Sequence, residues 1–391
     1  MPISNPIFGG LKRAFFSHKA IANTALNANV LVLNPLAGTK AMGPSKPDIL
    51  ANANSAQGQG EWTTKMSVGA NHLLGQHKYW LTSQSLGMIA AMSCPTGTVA
   101  GGGGVGAYVH EASVKSTNNT LLPHTVQENY RGAAQTDQAY LIKAAIGNGF
   151  EIEVLRGNQW ATITMDLIGN EEGVATDLSA IDIDANAPLD IATPPTKCGL
   201  WLAPTTGNNH TMSYDGILGS PSAAGTPFED LTGQFMFSMY ARNYRIAFTN
   251  NLNEADLFIA GLSSGTGFIA NTAAAYADKR LCTLTMTLDL NAAAGGPVAL
   301  MEYLRNFTNA LQQSYSMQFT FVNDVQIASS GIYHAGTIVV PAMRLVTAEP
   351  STDLGPMFID VTMEAMIDYA NTGHMLTYTF DGVATDYHAT V

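Results

Sequence analysis

The segment GLSSG at 261–265 has the G-x-S-x-G spacing of a nucleophile elbow, which would make Ser263 a nucleophile. It follows the apolar run LFIA, and the chain order Ser, Asp, His could be completed by Asp353 or Asp368 and His374. An elbow needs a strand-turn-helix unit in a parallel sheet, whereas the run after it, TGFIANTAAAYADK, makes a poor docking helix. A Gly/Ser loop between strands is therefore expected here, and a serine hydrolase using Ser263 is the lesser alternative.

Other residues that could do chemistry are scattered. GGGGVG at 101–106 can be written G-x-G-x-x-G, but it lacks the strand, helix and acidic residue of a dinucleotide site and reads as a surface loop. His72 and His77 are five apart, a spacing that neither the helical i,i+4 pair nor H-E-x-x-H allows. Asp182 and Asp184 form a D-x-D pair with Asp190 as the only further acid nearby downstream, too few oxygens for a hard cation, so a solvated loop is expected. Cys94, Cys198 and Cys282 lie 104 and 84 residues apart, which fits no zinc motif, and an odd number cannot close a disulfide framework. They read as reduced, buried small hydrophobes. No catalytic residue, cofactor or metal site is expected, and the chain is read as a non-enzyme.

The whole chain of 391 residues is long enough for two ordinary domains or one large one. Hydrophobic residues make up 46%, which argues against disorder, but charged residues make up only 12%, about half the roughly 25% of an average soluble protein. Interface cores are depleted in charge, so a surface covered by copies of itself would explain the deficit. Eighteen Lys+Arg against thirty Asp+Glu give a net charge of −12, which disfavours a grip on nucleic acid. There is no apolar run of signal-peptide or membrane-span length, so a soluble, intracellularly made protein is expected, and the sequons at Asn118, Asn209 and Asn306 read as coincidence.

The elements that would carry any site are mostly strands. In LCTLTMTLDL at 281–290, Cys282, Leu284, Met286, Leu288 and Leu290 alternate with Thr283, Thr285, Thr287 and Asp289. In MFIDVTMEA at 357–365, Ile359, Val361 and Met363 alternate with Asp360, Thr362 and Glu364. The runs at 150–155, 160–168, 233–240, 316–322 and 375–380 do the same, as antiparallel sheets with one wet face require. A helix is expected over about 298–314, where Leu300, Leu304, Phe307 and Leu311 form a stripe after Pro297, and a weaker helical candidate is 77–92.

This gives a mainly β chain with one or two flanking helices. Residues 1–60 read as an N-terminal arm or loop, 61–170 as a first β module, 171–230 as an acidic, Pro/Gly-rich linker, and 231–391 as a second module. Between Arg156 and Lys197 there are seven acids and no base: Asp166, Glu171, Glu172, Asp177, Asp182, Asp184 and Asp190. The two modules share an order of elements but not residues, so internal duplication and a single decorated module both stand.

The blocks GNGFEIEVLRGNQWATITMDLIGN, CTLTMTLDLNA, LMEYLRNFTNALQQSYSMQFTF and the C-terminal stretch from HAGTIVVPAMRL to HMLTYTF resemble the tail tube (major tail) proteins of tailed bacteriophages. In that family a strand ends in an i-x-l-P-a element, here IVVPAMRL at 338–345, and a later strand resembles v-x-f-x-A, here FIDVTMEAM at 358–366. The likeness covers roughly 140–168 and 230–381.

The resemblance implies antiparallel β-sandwich or barrel modules that assemble into trimeric (pseudo-hexameric) or hexameric rings. These stack into a virion tail tube, a conduit for genome ejection, made in the host cytoplasm. Its partners would be further copies, other tail proteins at the tube ends, and DNA in transient passage, without membrane insertion. A capsid-type protein or a tail-completion ring is the alternative virion part. A conduit wall should be poor in cations, because each Lys or Arg exchanges counterions with phosphate. The candidate lumen-facing residues are Glu151, Glu153, Thr283, Thr285, Thr287, Asp289, Asp360, Thr362 and Glu364, on strand faces that hold no Lys.

Overall fold

The computed structural model describes residues 11–17, 30–33, 35–37, 39–44, 49–51, 66–68, 73–94, 97–101, 108–115, 121, 124–130, 138–156, 161–169, 171–174, 197–206, 235–236, 240–252, 258–263, 268–270, 280–290, 313–326, 333–351, 357–367 and 374–382. The first half holds β1 (Leu11–Ser17), β2 (Val30–Leu33), β3 (Lys40–Pro44), β4 (Ile49–Ala51), β5 (Met66–Val68), β6 (Leu73–Trp80), α1 (Ser83–Ser93), β7 (Gly97–Gly101), β8 (Tyr108–Lys115), β9 (His124–Tyr130), β10 (Gln138–Leu155), β11 (Thr162–Gly169) and β12 (Glu171–Val174). The second half holds β13 (Lys197–Thr206), β14 (Phe235–Met236), β15 (Ala241–Thr249), β16 (Phe258–Ser263), β17 (Phe268–Ala270), β18 (Leu281–Asp289), β19 (Gln313–Gln326), β20 (Tyr333–Pro350), β21 (Phe358–Ala365) and β22 (His374–Gly382). The fold is mainly β, every described strand pair is antiparallel, and among the described residues one helix flanks the sheets.

Alternation decides the faces. In β18 the burial runs strictly in and out, with Cys282, Leu284, Met286 and Leu288 inward, and β21 buries Ile359, Val361 and Met363. Between them and the neighbouring β15, Tyr244, Ile246 and Phe248 point the same way. Phe248 packs on Phe150 at 5.6 Å between ring centres, which joins the two sequence halves, and Tyr244 packs on Phe319 at 6.0 Å in the same core.

Two strands organise the sheets. β10 and β20 are both 18 residues long, and each exchanges a partner midway. β10 pairs with β9 along Gln138–Ala145 and with β15 along Gly149–Leu155. β20 pairs with β22 along Gly336–Val339 and with β21 along Met343–Pro350. Each exchange falls on residues that suit it. In β20 it brackets Pro341, which has no N–H to give a ladder, and β19 shifts register opposite, between Tyr315 and Met317. In β10 it lies at Gly147-Asn148-Gly149, where a Cβ on Gly149 would stand 2.2 Å from the Phe248 carbonyl oxygen. Only glycine permits that approach.

α1 is buried along its whole length, against β10, β22, β20, β11 and β2. Thr82 begins it with a capping box: its hydroxyl accepts from the Ser85 amide at 3.1 Å, and the Ser85 hydroxyl accepts from the Thr82 amide at 2.8 Å. Leu86, Met88, Ile89 and Met92 lose all solvent contact, each worth about 1.5–3 kcal/mol of apolar burial. The helical candidate over 77–92 is thus corrected at its start: His77, Lys78, Tyr79 and Trp80 are strand β6, and the cap fixes the boundary.

Most of the helix expected over 298–314 lies outside the described residues, and its last two residues, Gln313 and Ser314, belong to strand β19, paired with Thr206 and Thr205. Within the region read as an arm, β1 pairs with β2 and β9, β3 pairs with β6, and Leu33 and Met42 enter the core. Cross-strand hydrogen bonds hold these segments without any need for an alternating pattern. Within the region read as a linker, β12 extends the pairing of β10 and β13 pairs with β19. The two expected modules meet in shared sheets through β10 with β15 and β8 with β22.

Candidate functional site

Seven strands, in the order β6, β11, β10, β15, β18, β21 and β20, present one continuous wet face. Their inward side chains are committed to the core, so the outward positions fall into rows. One row runs Lys78, Thr164, Glu151, Ala247, Thr283, Glu364, Arg344. The next runs Thr162, Glu153, Arg245, Thr285, Thr362, Thr347, and a third brings Asn243, Thr287, Asp360 and Glu349 into line. All nine residues singled out from the sequence stand on this face or at its end, half-buried or exposed.

The face is not poor in cations, which corrects the expectation. Lys78, Arg245 and Arg344 arrive from neighbouring strands, and Arg156 and Arg242 flank one end. An alternating pattern read along one strand cannot show what stands opposite on the next.

Every one of these cations meets a carboxylate. Lys78 Nζ lies 3.5 Å from Glu153 Oε2, and Arg245 pairs with Glu151. Arg344 donates from Nε to Glu364 Oε2 at 3.1 Å, and Arg242 donates from Nε to Asp289 Oδ1 at 2.6 Å while Arg156 takes Oδ2. The bond from Arg242, then that from Arg156, holds the Asp289 carboxyl below the usual carboxylate range. Thr287 donates to Asp360 at 2.7 Å, and Gln76 donates to Asp166 at 2.8 Å. Exposed pairs of this kind add little stability. Their effect is electrostatic: five cations are interleaved with the seven acids Glu151, Glu153, Asp166, Asp289, Glu349, Asp360 and Glu364, a local sum of −2. A phosphate would have to displace a carboxylate to bind.

A second polar constellation was invisible in the sequence. His77 Nδ1 meets Tyr79 Oη at 2.7 Å, His77 Nε2 meets Glu128 Oε1 at 2.6 Å, and the Met42 amide donates to that same oxygen at 2.9 Å. The order hydroxyl, imidazole, carboxylate is that of a catalytic relay. All three side chains are buried, and the arrangement ties β3, β6 and β9 together. Likewise Ser83 Oγ lies 2.8 Å from His334 Nδ1, buried inside the fold, where loss of solvent lowers the His334 pKa to about 4.

Ser263 ends β16 and pairs with Phe268 of β17, so GLSSG opens an antiparallel hairpin rather than a strand-to-helix elbow. His374 lies on β22 opposite Lys115, while Asp353 and Asp368 fall outside the described residues. Gly101 closes β7, which pairs with β8, and 102–107 are outside. His72, Asp177, Asp182, Asp184 and Asp190 are outside as well. Among the described residues, no group of three or more His, Cys, Asp or Glu could hold a metal ion, and no helix is long and apolar enough to cross a membrane. All three cysteines are free; burial pushes the Cys282 and Cys198 thiols up to about 12 and that of Cys94 higher still.

No protein-family model matches the sequence, and no curated protein matches it.

Proposed function

We propose that this chain is a structural virion protein that oligomerises into stacked rings and forms the tail tube of a bacteriophage, with the seven-strand wet face lining the conduit. The observation that carries the reading is the pairing of the cations on that face with carboxylates, two of them sharing Asp289 at one end, which leaves a broad wall that is weakly negative in sum. A passing duplex slides on such a surface because no contact on it is worth the release of a counterion. The likeness of β10 and β20, both long and both changing partner midway, favours two related modules per chain, and so a trimeric, pseudo-hexameric ring. On this reading the chain is not an enzyme, needs no cofactor, and meets other tail proteins only at the tube ends.

Electron microscopy of the purified chain tests the proposal. Hollow filaments are expected. Closed shells would favour a capsid-type part, and dispersed monomers at high concentration would contradict assembly altogether.

A further inference from the structure

At one end of the wet face, Arg156 and Arg242 share the single carboxylate of Asp289, above an open depression of about 700 Å³. Strand-end hydrogen bonds fix the frame: the Arg156 amide donates to the Arg242 carbonyl at 2.7 Å, and the Leu290 amide donates to the Met357 carbonyl at 3.0 Å. Arg242 lies 4.7 Å over the Phe358 ring, which holds its guanidinium in place. Two cations against one acid leave a local surplus of positive charge, unlike the rest of the face. The site is also apolar at its margin. Exposed large hydrophobic residues are few among the described residues, namely Leu155, Val346 and Met357; of these Leu155 adjoins Arg156, and Met357 lines the depression.

An anchored Arg pair beside exposed apolar side chains and a half-buried aromatic ring is the composition of a protein-binding hot spot. We propose that this end of the sheet is a docking site for an acidic segment, with apolar residues beside its carboxylates, presented by a second copy of the chain. A nucleic-acid backbone fits less well, because a net surplus of one charge neutralises too little phosphate and the apolar margin has nothing to cover. The chain's own sequence holds a run of the required kind, DLSAIDIDANAPLDI at 177–191, with four Asp, five Leu or Ile and no base. Charge complementarity to Arg156 and Arg242 and apolar complementarity to Leu155 and Met357 are both met by it. This inference goes beyond the conduit reading: copies would dock here whether or not they form a tube.

The test mixes two differently tagged full-length variants, Met357→Cys and Ile183→Cys, under mild oxidation. A disulfide between the two tagged chains is expected, with its yield falling about tenfold when Arg156→Gln and Arg242→Gln are added to the first. Arg156 is exposed and Arg242 half-buried at the sheet end, so folding should survive; Leu155→Asp supplies an independent variant with the same expected loss. Cys94 and Cys282 are buried and stay silent, and a Cys198→Ser background removes the half-buried third thiol. No inter-chain disulfide, or one insensitive to the arginine changes, overturns the proposal. So does a cross-link formed only within one chain when both cysteines are placed together, or binding of duplex DNA that the same arginine substitutions abolish.

Discussion

His77 Nε2 stands 2.6 Å from Glu128 Oε1 in the interior of the fold, and 51 positions of sequence separate the two residues. The pair joins β6 to β9, and the Met42 amide on β3 donates to the same carboxylate oxygen. Breaking a buried, hydrogen-bonded pair strands its partners without water. Glu128→Ala should destabilise the chain by about 3–5 kcal/mol, seen as a lower midpoint of urea unfolding. A midpoint shifted by less than the equivalent of about 1 kcal/mol would show the pair to be dispensable.

Gly149→Ala should disrupt the β10 and β15 pairing, because the new methyl meets the Phe248 carbonyl oxygen at 2.2 Å and a backbone must move. A loss of about 1–3 kcal/mol is expected from the overpacking. Hydrogen exchange should localise it to Gly149–Leu155 and Asn243–Thr249; uniform or absent loss of protection would contradict the assigned contact.

Stability should fall as pH drops from about 6.5 towards 4. His334 is neutral in the fold, its pKa lowered to about 4 from 6.5 by burial, so the unfolded chain binds its proton first and acid favours unfolding. The contribution is on the order of 3 kcal/mol across that window and vanishes above it. Asp289 acts in the same direction at lower pH: its depressed pKa adds stability above the unfolded value, lost as pH falls through the folded one. Urea midpoints at pH 7 and pH 4.5 measure the His334 share, and His334→Gln should flatten the difference.

Thr285 lies between Arg245 and Thr362 across the strands, and Asp360 accepts from Thr287. Lysine at 285 adds a cation beside Arg245, and lysine at 360 replaces a carboxylate with a cation, leaving Glu349 opposite it. If the face lines a conduit, Thr285→Lys and Asp360→Lys should slow or arrest DNA release from assembled particles, more so at low salt. Release at wild-type rate in both variants would contradict the placement.

The sequence made the strongest strands plain because one face is wet: β18 and β21 alternate as read, and their registry sets Thr285 opposite Thr362. α1 showed only weakly, within the helical candidate over 77–92, for the opposite reason. A helix buried on every side has no polar stripe, so its true start was marked only by the Thr82 cap. β1, β2 and β3 escaped notice because short strands held by neighbours need no alternation of their own. Arg245, Lys78 and Arg344 lie on strands other than those that carry their acids, so the ion pairs depend on registry rather than on any local motif.

The most direct measurement is a cryo-electron-microscopy reconstruction of the assembled chain with the position of Thr285 located in it. A hollow cylinder with Thr285, Glu153 and Asp360 on its inner wall is the predicted result. An assembly whose bore is walled by other segments, with Thr285 facing outward, would contradict the central claim.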